Sequence, residues 1–265
     1  MDKFDFKNKN VLITAGSKGI GFELALQFSK YGGNVAITSR NISNLKNASK
    51  KINLATNKNI LFIKHDLKNI NNIKKIFVKF KKHFKSGVDI LINNSGGPPP
   101  KKVLETTRKN WNEAININLA SSIFSSIEAV KDMKRKKWGR IINLTSSTAK
   151  EPAQNMCLSN VTRSGLASFG KTLSVEVARN GITVNTILTG GVLTERIKNL
   201  IKLRIGNSNL KLKKELKRIS NNIPVGRIAD PEEFVQLVLF LASEKSSYVT
   251  GTSIPIDGGS SKSLF

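Results

Sequence analysis

Cysteine, tyrosine and carboxylates are scarce in this chain of 265 residues. The single cysteine, Cys157, excludes an internal disulfide framework and fits a reducing compartment. It reads as a small buried apolar residue rather than a reactive thiol. No apolar run approaches the ~18 residues of a membrane span. The opening Met1-Asp2-Lys3-Phe4-Asp5-Phe6 is charged and lacks the apolar segment of a signal peptide. A cytoplasmic protein without membrane contact is therefore expected. No internal repeat is present, and no linker rich in Pro, Gly or Ser divides the chain, so residues 1–265 are expected to form a single domain.

The shortage of carboxylates leaves 18 acidic against 44 basic side chains, a net charge of +26. Such a charge can neutralise phosphates. The lysines are spread along the chain, however, as at Lys46, Lys50, Lys74 and Lys81, which is the pattern of solvated helix faces. No zinc-finger or RNP-type motif accompanies them, so nucleic acid is the least expected partner. Acidic carrier proteins or phosphate-bearing acyl carriers rank ahead of it.

Short apolar runs alternate with segments of helical period. Asn10–Thr14, Asn34–Ser39, Ile60–Lys64, Val88–Ile92, Gly139–Thr145, Ile182–Ile187 and Thr252–Ile256 read as strands. Between them lie helical stretches. Ile20 to Tyr31 places Ile20, Leu24, Phe28 and Tyr31 on one face. Others cover Asn41–Leu54, the run of Ile70, Ile73, Phe77, Phe80 and Phe84, Trp111 to Met133, Cys157–Arg179 and Glu232–Leu241. Strands alternating with helices predict an α/β Rossmann fold, a doubly wound parallel sheet of about seven strands with helices on both faces. The strands are apolar on both sides, as a sheet covered twice requires. The segment 196–222 is polar, basic and interrupted by Gly206. It predicts one or two helices outside the sheet, forming a cover.

Thr14-Ala15-Gly16-Ser17-Lys18-Gly19-Ile20-Gly21 joins the first strand to the first helix. Glycines here permit a tight turn and close approach of the backbone to a pyrophosphate, for which the helix N-terminus supplies N–H groups. The segment resembles the Thr-Gly-x-x-x-Gly-x-Gly motif of short-chain dehydrogenases/reductases, with Ala15 standing at the first glycine. Further resemblances follow in order: Asn93-Asn94-Ser95-Gly96, Asn118-Leu119, the strand Gly139 to Ser146, Gly181-Ile182-Thr183-Val184-Asn185, Tyr248-Val249-Thr250-Gly251 and Asp257-Gly258-Gly259. The Gly-Gly-Pro-Pro-Pro run at 96–100 resembles a divergent branch often grouped with 3-oxoacyl-[acyl-carrier-protein] reductases. Three prolines there fix a stiff extended path, either a rigid connector or one wall of a substrate site.

The resemblance implies a nicotinamide dinucleotide and its contacts. Gly16, Ser17, Lys18, Gly19, Ile20 and Gly21 would hold the diphosphate. Asp66 and Leu67 would flank the adenine. Asn93, Ser95 and Gly96 would line the ribose side. Gly190, Val192 and Thr194 would meet the nicotinamide amide, with Thr189 in place of a usual proline. The residue after the second strand selects the cofactor in this fold, an acid for NAD and a base for a 2′-phosphate. Here Ser39-Arg40 stands there, with Lys18 in the glycine loop as a second cation, so NADP(H) is expected. The family also implies a homotetramer or dimer, with the long helices and the C-terminal segment at interfaces.

In the family a Tyr protonates the substrate carbonyl and a Lys four residues later tunes it. A Ser holds the substrate oxygen and an Asn organises a water. Ser146 and Asn118 match the last two. At the Tyr and Lys places stand Ser159 and Arg163, and the only tyrosines, Tyr31 and Tyr248, belong to other elements. A serine hydroxyl is a far weaker acid than a phenol, and an arginine is a reluctant donor. Lys150, four residues after Ser146, is a candidate replacement donor if desolvated. Two functions stay open. One is an NADP(H)-dependent oxidoreductase acting on a carbonyl, a 3-oxoacyl thioester being the first substrate guess, or on a secondary alcohol. The other is a catalytically impaired NADP(H)-binding protein with a sensor or assembly role.

Overall fold

The computed structural model describes residues 4–206 and 208–264. Seven parallel strands form one sheet in the order β3-β2-β1-β4-β5-β6-β7. They are β1 (Asn10–Ile13), β2 (Asn34–Ser39), β3 (Leu61–Lys64), β4 (Ile90–Asn93), β5 (Gly139–Leu144), β6 (Ile182–Thr189) and β7 (Ser253–Ile256). Register is set pair by pair, with Leu12 opposite Ala36 on one side and Leu91 on the other. The chain is thus an α/β doubly wound sheet.

Strand alternation divides the core in two. Val11 and Ile13 of β1 and Ile90 and Ile92 of β4 face one layer, packed by Leu24 and Phe28 of α1 (Gly19–Lys30), Leu45 and Ile52 of α2 (Ile42–Thr56), and distant residues such as Phe234. Leu12 and Leu91, one residue out of step, face the other. There Ile73, Phe77 and Phe80 of α3 (Ile73–Phe84) pack with Ala129 and Met133. The aromatic stripe read in the sequence is therefore core.

The expected helix from Trp111 to Met133 is longer and interrupted. It comprises α4 (Arg108–Ile115), a π-helical turn (Asn116–Ala120) and α5 (Ser121–Lys136). Thr107 starts it with a reciprocal cap, its side chain accepting from Asn110 N–H. The long α6 (Cys157–Val177) follows β5. The basic segment forms two helices, α7 (Glu195–Ile205) and α8 (Asn209–Asn221), which pack on each other, with Gly206 at a positive φ of 82° closing the first. Last comes α9 (Pro231–Ala242), opened by Asp230, whose backbone N–H donates to Glu233. Phe234 and Val238 of α9 bury against the α1 side of the sheet. Among the described residues no helix is long and apolar enough to cross a membrane, and no His, Cys, Asp and Glu cluster could hold a metal ion.

The strand order reverses between β1 and β4. In open parallel sheets the crevice beyond the strand ends at such a point is where ligands bind, and the candidate residues gather there.

Candidate active site

The loop after β1 is shaped by contacts with β2 and β4. Ala15 sits at φ 47° and Gly19 at φ 54°. Gly16 N–H donates to Thr38 O at 2.9 Å, and a side chain on Gly16 would lie 2.7 Å from Ile37 Cγ2. Gly21 is equally constrained, since a Cβ there would lie 2.6 Å from Asn94 Nδ2. Lys18 caps α1 without a side-chain hydrogen bond. The first N–H groups of that helix are left for an anion.

Two cavities adjoin along the strand ends. The first, about 280 Å³, is lined by Ser39, Arg40, His65, Asp66, Leu67 and Gly96, among others. His65 N–H donates to Ser39 O at 2.9 Å, tying the end of β3 to that of β2. Burial of its ring lowers the His65 pKa, against the pull of Asp66, and its Nε2 is buried without a protein partner. The Asp66 carboxylate accepts from Lys68 N–H at 3.0 Å, which holds the turn that buries Leu67.

The second cavity, about 240 Å³, is lined by Ser95, Ser146, Ser159, Arg163, Gly190 and Thr194, with Ile20, Val192 and residues of α7. Ser146 Oγ accepts from Thr148 N–H at 3.3 Å, which leaves its own proton free to donate. Ser159 is only 4% exposed, and its Oγ lies 3.3 Å from Thr148 Oγ1. Arg163 is 6% exposed. Its Nη1 donates to Leu144 O at 2.8 Å and its Nη2 to Ser95 O at 3.5 Å, while Nε is buried without a protein partner. Burial first, then repulsion by Arg196, lowers its pKa to about 10, so it stays charged at neutral pH.

Asn118 lies inside the π-helical turn, a distortion often found at functional sites. Both of its Nδ2 hydrogens are used, toward Ser95 Oγ at 2.8 Å and Gly96 O at 2.7 Å. The buried Oδ1 has no protein partner and can accept from a water or ligand. Gly190 cannot carry a side chain, because a Cβ would lie 2.5 Å from Asp257 Cα.

Residues 14–261 match the family model described as enoyl-(acyl carrier protein) reductase. The chain is 33% identical over 253 residues to the 3-oxoacyl-[acyl-carrier-protein] reductase FabG of Buchnera aphidicola subsp. Schizaphis graminum, covering 96% of this chain and 97% of that one. The chain belongs to the short-chain dehydrogenase/reductase family. Another of its relatives, the NADPH-dependent reductase BacG of Bacillus subtilis, is 30% identical and spans 97% of this chain and 99% of its own. Among solved structures, L-sorbose reductase from Gluconobacter frateurii, complexed with NADPH and L-sorbose, superposes with a TM-score of 0.94 at 26% identity, covering 99% of this chain and 100% of that one. YwfH, an NADPH-dependent reductase involved in bacilysin biosynthesis, gives 0.90 at 28% identity, covering 97% and 99%. As a short-chain dehydrogenase/reductase the protein is an oxidoreductase.

Most residues that the sequence singled out meet in this cleft. Ser39, Arg40, Asp66, Leu67 and Gly96 line the first cavity; Ile20, Ser146, Ser159, Arg163, Val192 and Thr194 line the second. Ser17, Lys18 and Gly19 form the loop at the start of α1 without lining either cavity. Two expectations need correction. Asn93 does not reach the ribose side. Strand alternation turns it inward, where Nδ2 donates to Asn143 Oδ1 at 2.8 Å and Ser126 Oγ at 2.9 Å, and Asn94 lines the cleft instead. Lys150 lines neither cavity either. It ends the 147–149 turn, and its charge acts on Glu151, whose carboxylate accepts from Ser261 Oγ and from the N–H groups of Lys262 and Ser263. The prolines do not line the cavities; they lead across to Lys101, which pairs with Met156 ahead of α6. His65, Asn94, Thr148 and Arg196 escaped the sequence reading. Of these, Asn94 stood in the Asn93-Asn94-Ser95-Gly96 motif and Arg196 two residues after Thr194, whereas His65 and Thr148 carried no signal.

Proposed function

We propose that this oxidoreductase uses NADP(H) and reduces a carbonyl, a 3-oxoacyl thioester being the favoured substrate class, or oxidises the corresponding secondary alcohol. The observation that carries this reading is one crevice with Arg40 at its outer end and Ser146, Asn118 and Arg163 at its inner end. The donor set fits a phosphorylated dinucleotide. The loop offers uncapped helix N–H groups, Arg40 offers a planar fork for a 2′-phosphate, and His65 Nε2, Asn118 Oδ1 and Arg163 Nε are buried polar atoms in want of a partner. Relatives named as NADPH-dependent or complexed with NADPH support the same choice.

The bound nicotinamide would supply or accept a hydride. Around it, Ser146 donates a hydrogen bond to the substrate oxygen, its own oxygen held by Thr148 N–H. Arg163 would hold the nicotinamide ribose, with Nε as its donor without a protein partner, and would place positive charge beside the developing oxyanion. Ser159 and Thr148 form a hydroxyl pair that relays a proton rather than storing one, since neither is acidic enough to act as an acid by itself. Asn118 clamps the Ser95–Gly96 segment and keeps Oδ1 for a water.

Exposed Phe124 and Ile127 on α5, with Val161 and Val175 on α6, support a homo-oligomer whose copies meet along these helices. The domain, on this reading, is one dinucleotide-binding unit throughout.

The serine at 159 and arginine at 163 also support a second reading, a dinucleotide-binding protein without turnover. Titration with NADPH by fluorescence, run beside NADPH oxidation on a panel of ketones and 3-oxoacyl thioesters, separates the two. NADPH oxidation on addition of a 3-oxoacyl thioester, with its 3-oxo group reduced to the alcohol, supports the first. Tight NADPH binding with no NADPH oxidation in the presence of any of these substrates rejects it in favour of the second.

A further inference from the structure

The two cavities share two lining residues, Gly97 and Arg196. Arg196 is the second residue of α7, and its Nη2 donates to Pro98 O at 3.4 Å, so the side chain spans from the cover helix to the far lip of the cleft. A Cβ on Gly97 would collide with the guanidinium. Gly97 is not among the glycines with positive φ. Its missing side chain makes room for Arg196 and serves no turn.

This guanidinium is in an unfavourable place for a cation. Desolvation of the guanidinium lowers its pKa even though the residue as a whole is exposed, and no acidic group offsets that effect. Arg196 and buried Arg163 repel each other across the Ser95–Pro98 segment, and that repulsion helps to pull Arg163 down. Two such charges, without a carboxylate between them, form a site for an anion.

We infer that Arg196 is a latch for the diphosphate of the dinucleotide. The inference rests on the NADP(H) reading above. With adenosine on the Arg40 side and nicotinamide on the Ser146 side, the diphosphate is the part that must cross the junction where Arg196 and Gly97 meet. A guanidinium pairs with phosphate oxygens by charge-assisted, often bidentate hydrogen bonds. The anion would exchange the weak carbonyl contact at Pro98 for a strong one and relieve the repulsion with Arg163. It would also pull the first turn of α7 onto the cleft, coupling the basic cover to cofactor occupancy.

The test measures dissociation constants by fluorescence or calorimetry for NADPH and for 2′-AMP, which carries the 2′-phosphate but no diphosphate. Arg196→Met should weaken NADPH about 10–100-fold and leave 2′-AMP within about twofold. Arg196→Lys should recover part of the loss. Gly97→Ala, which keeps the arginine but takes its seat, should weaken NADPH in the same direction. Equal loss for both ligands would overturn the latch, because the effect would then come from the 2′-phosphate end. Unchanged NADPH affinity with a raised KM for acidic substrates would overturn it as well, assigning the charge to the substrate. A wild-type protein that fails to bind NADPH removes the cofactor reading itself, whereas wild-type binding with an unaffected Arg196→Met removes the latch alone.

Discussion

Ser159 Oγ and Thr148 Oγ1 lie 3.3 Å apart, the one buried at the inner end of the cleft and the other on the turn that follows Ser146. Each hydroxyl can donate while it accepts, so the pair can pass a proton without changing charge. Ser159→Ala and Thr148→Val should each lower kcat by roughly tenfold or more, toward the ~10²–10⁴ typical of a positioned acid or base. Because both break one path, the double variant should lose little beyond either single one. Steady-state kinetics decide this. Parental kcat in both single variants would rule out the pair as the proton route.

Arg40 stands at the end of β2 on the adenosine side. If it holds a 2′-phosphate, Arg40→Ala removes a charge-assisted bond of about 1.5–3 kcal/mol. NADPH affinity should fall roughly 10-fold to 150-fold while NADH affinity barely moves. Parallel titrations with the two cofactors measure the ratio, and an equal loss for both would contradict the assignment.

The outline of the fold was legible in the sequence because burial on two faces leaves a plain signature. The run Asn34–Ser39 is read and observed with the same bounds, since a β-branched core is closed by glycine before it and by Arg40 after it. The site was legible only where motifs resemble the family. Asn93 and Asn94 are adjacent and chemically identical, so only the pleat decides which one faces the cleft. Arg196 was read as one more cation of the 196–222 cover, because charge in a basic segment looks solvated until the cleft beside it is seen. Thr148 needed the fold of the turn after Ser146, a contact eleven residues long that no periodicity encodes.

Arg163 keeps its proton up to about pH 10, because even a strong burial penalty starts from the very high value of a guanidinium. Cofactor affinity should therefore show no titration of this group between about pH 7 and pH 9. Arg163→Lys begins from ~10.4 and suffers the same burial and the same repulsion from Arg196, so its pKa falls further toward neutrality. The variant should lose NADPH affinity progressively as pH rises through that range. A flat profile matching that of wild type would contradict the burial seen here.

His65 gives a stability test with a defined sign. Burial lowers its pKa below 6.5, so the folded protein resists a proton that the unfolded chain accepts. Stability should then decline as pH falls below 6.5 toward the folded pKa, and stay level with respect to this group above it. His65→Gln should flatten that part of the curve. Thermal melts of both proteins at about pH 7.5 and about pH 5.5 measure the difference.

The π-helical turn at 116–120 works as a gear change between two helices that sequence periodicity treats as one. One additional residue in a helix turns everything beyond it by about 100°. Trp111 on one side and Met133 on the other therefore answer to different phases, and a single-residue deletion here would do more than shorten a loop. It would move Asn118, which lies in the turn itself, and reset the angle between α4 and the α5 half that seals the core, so apart from Asn118 this segment should accept substitutions far more readily than changes in length.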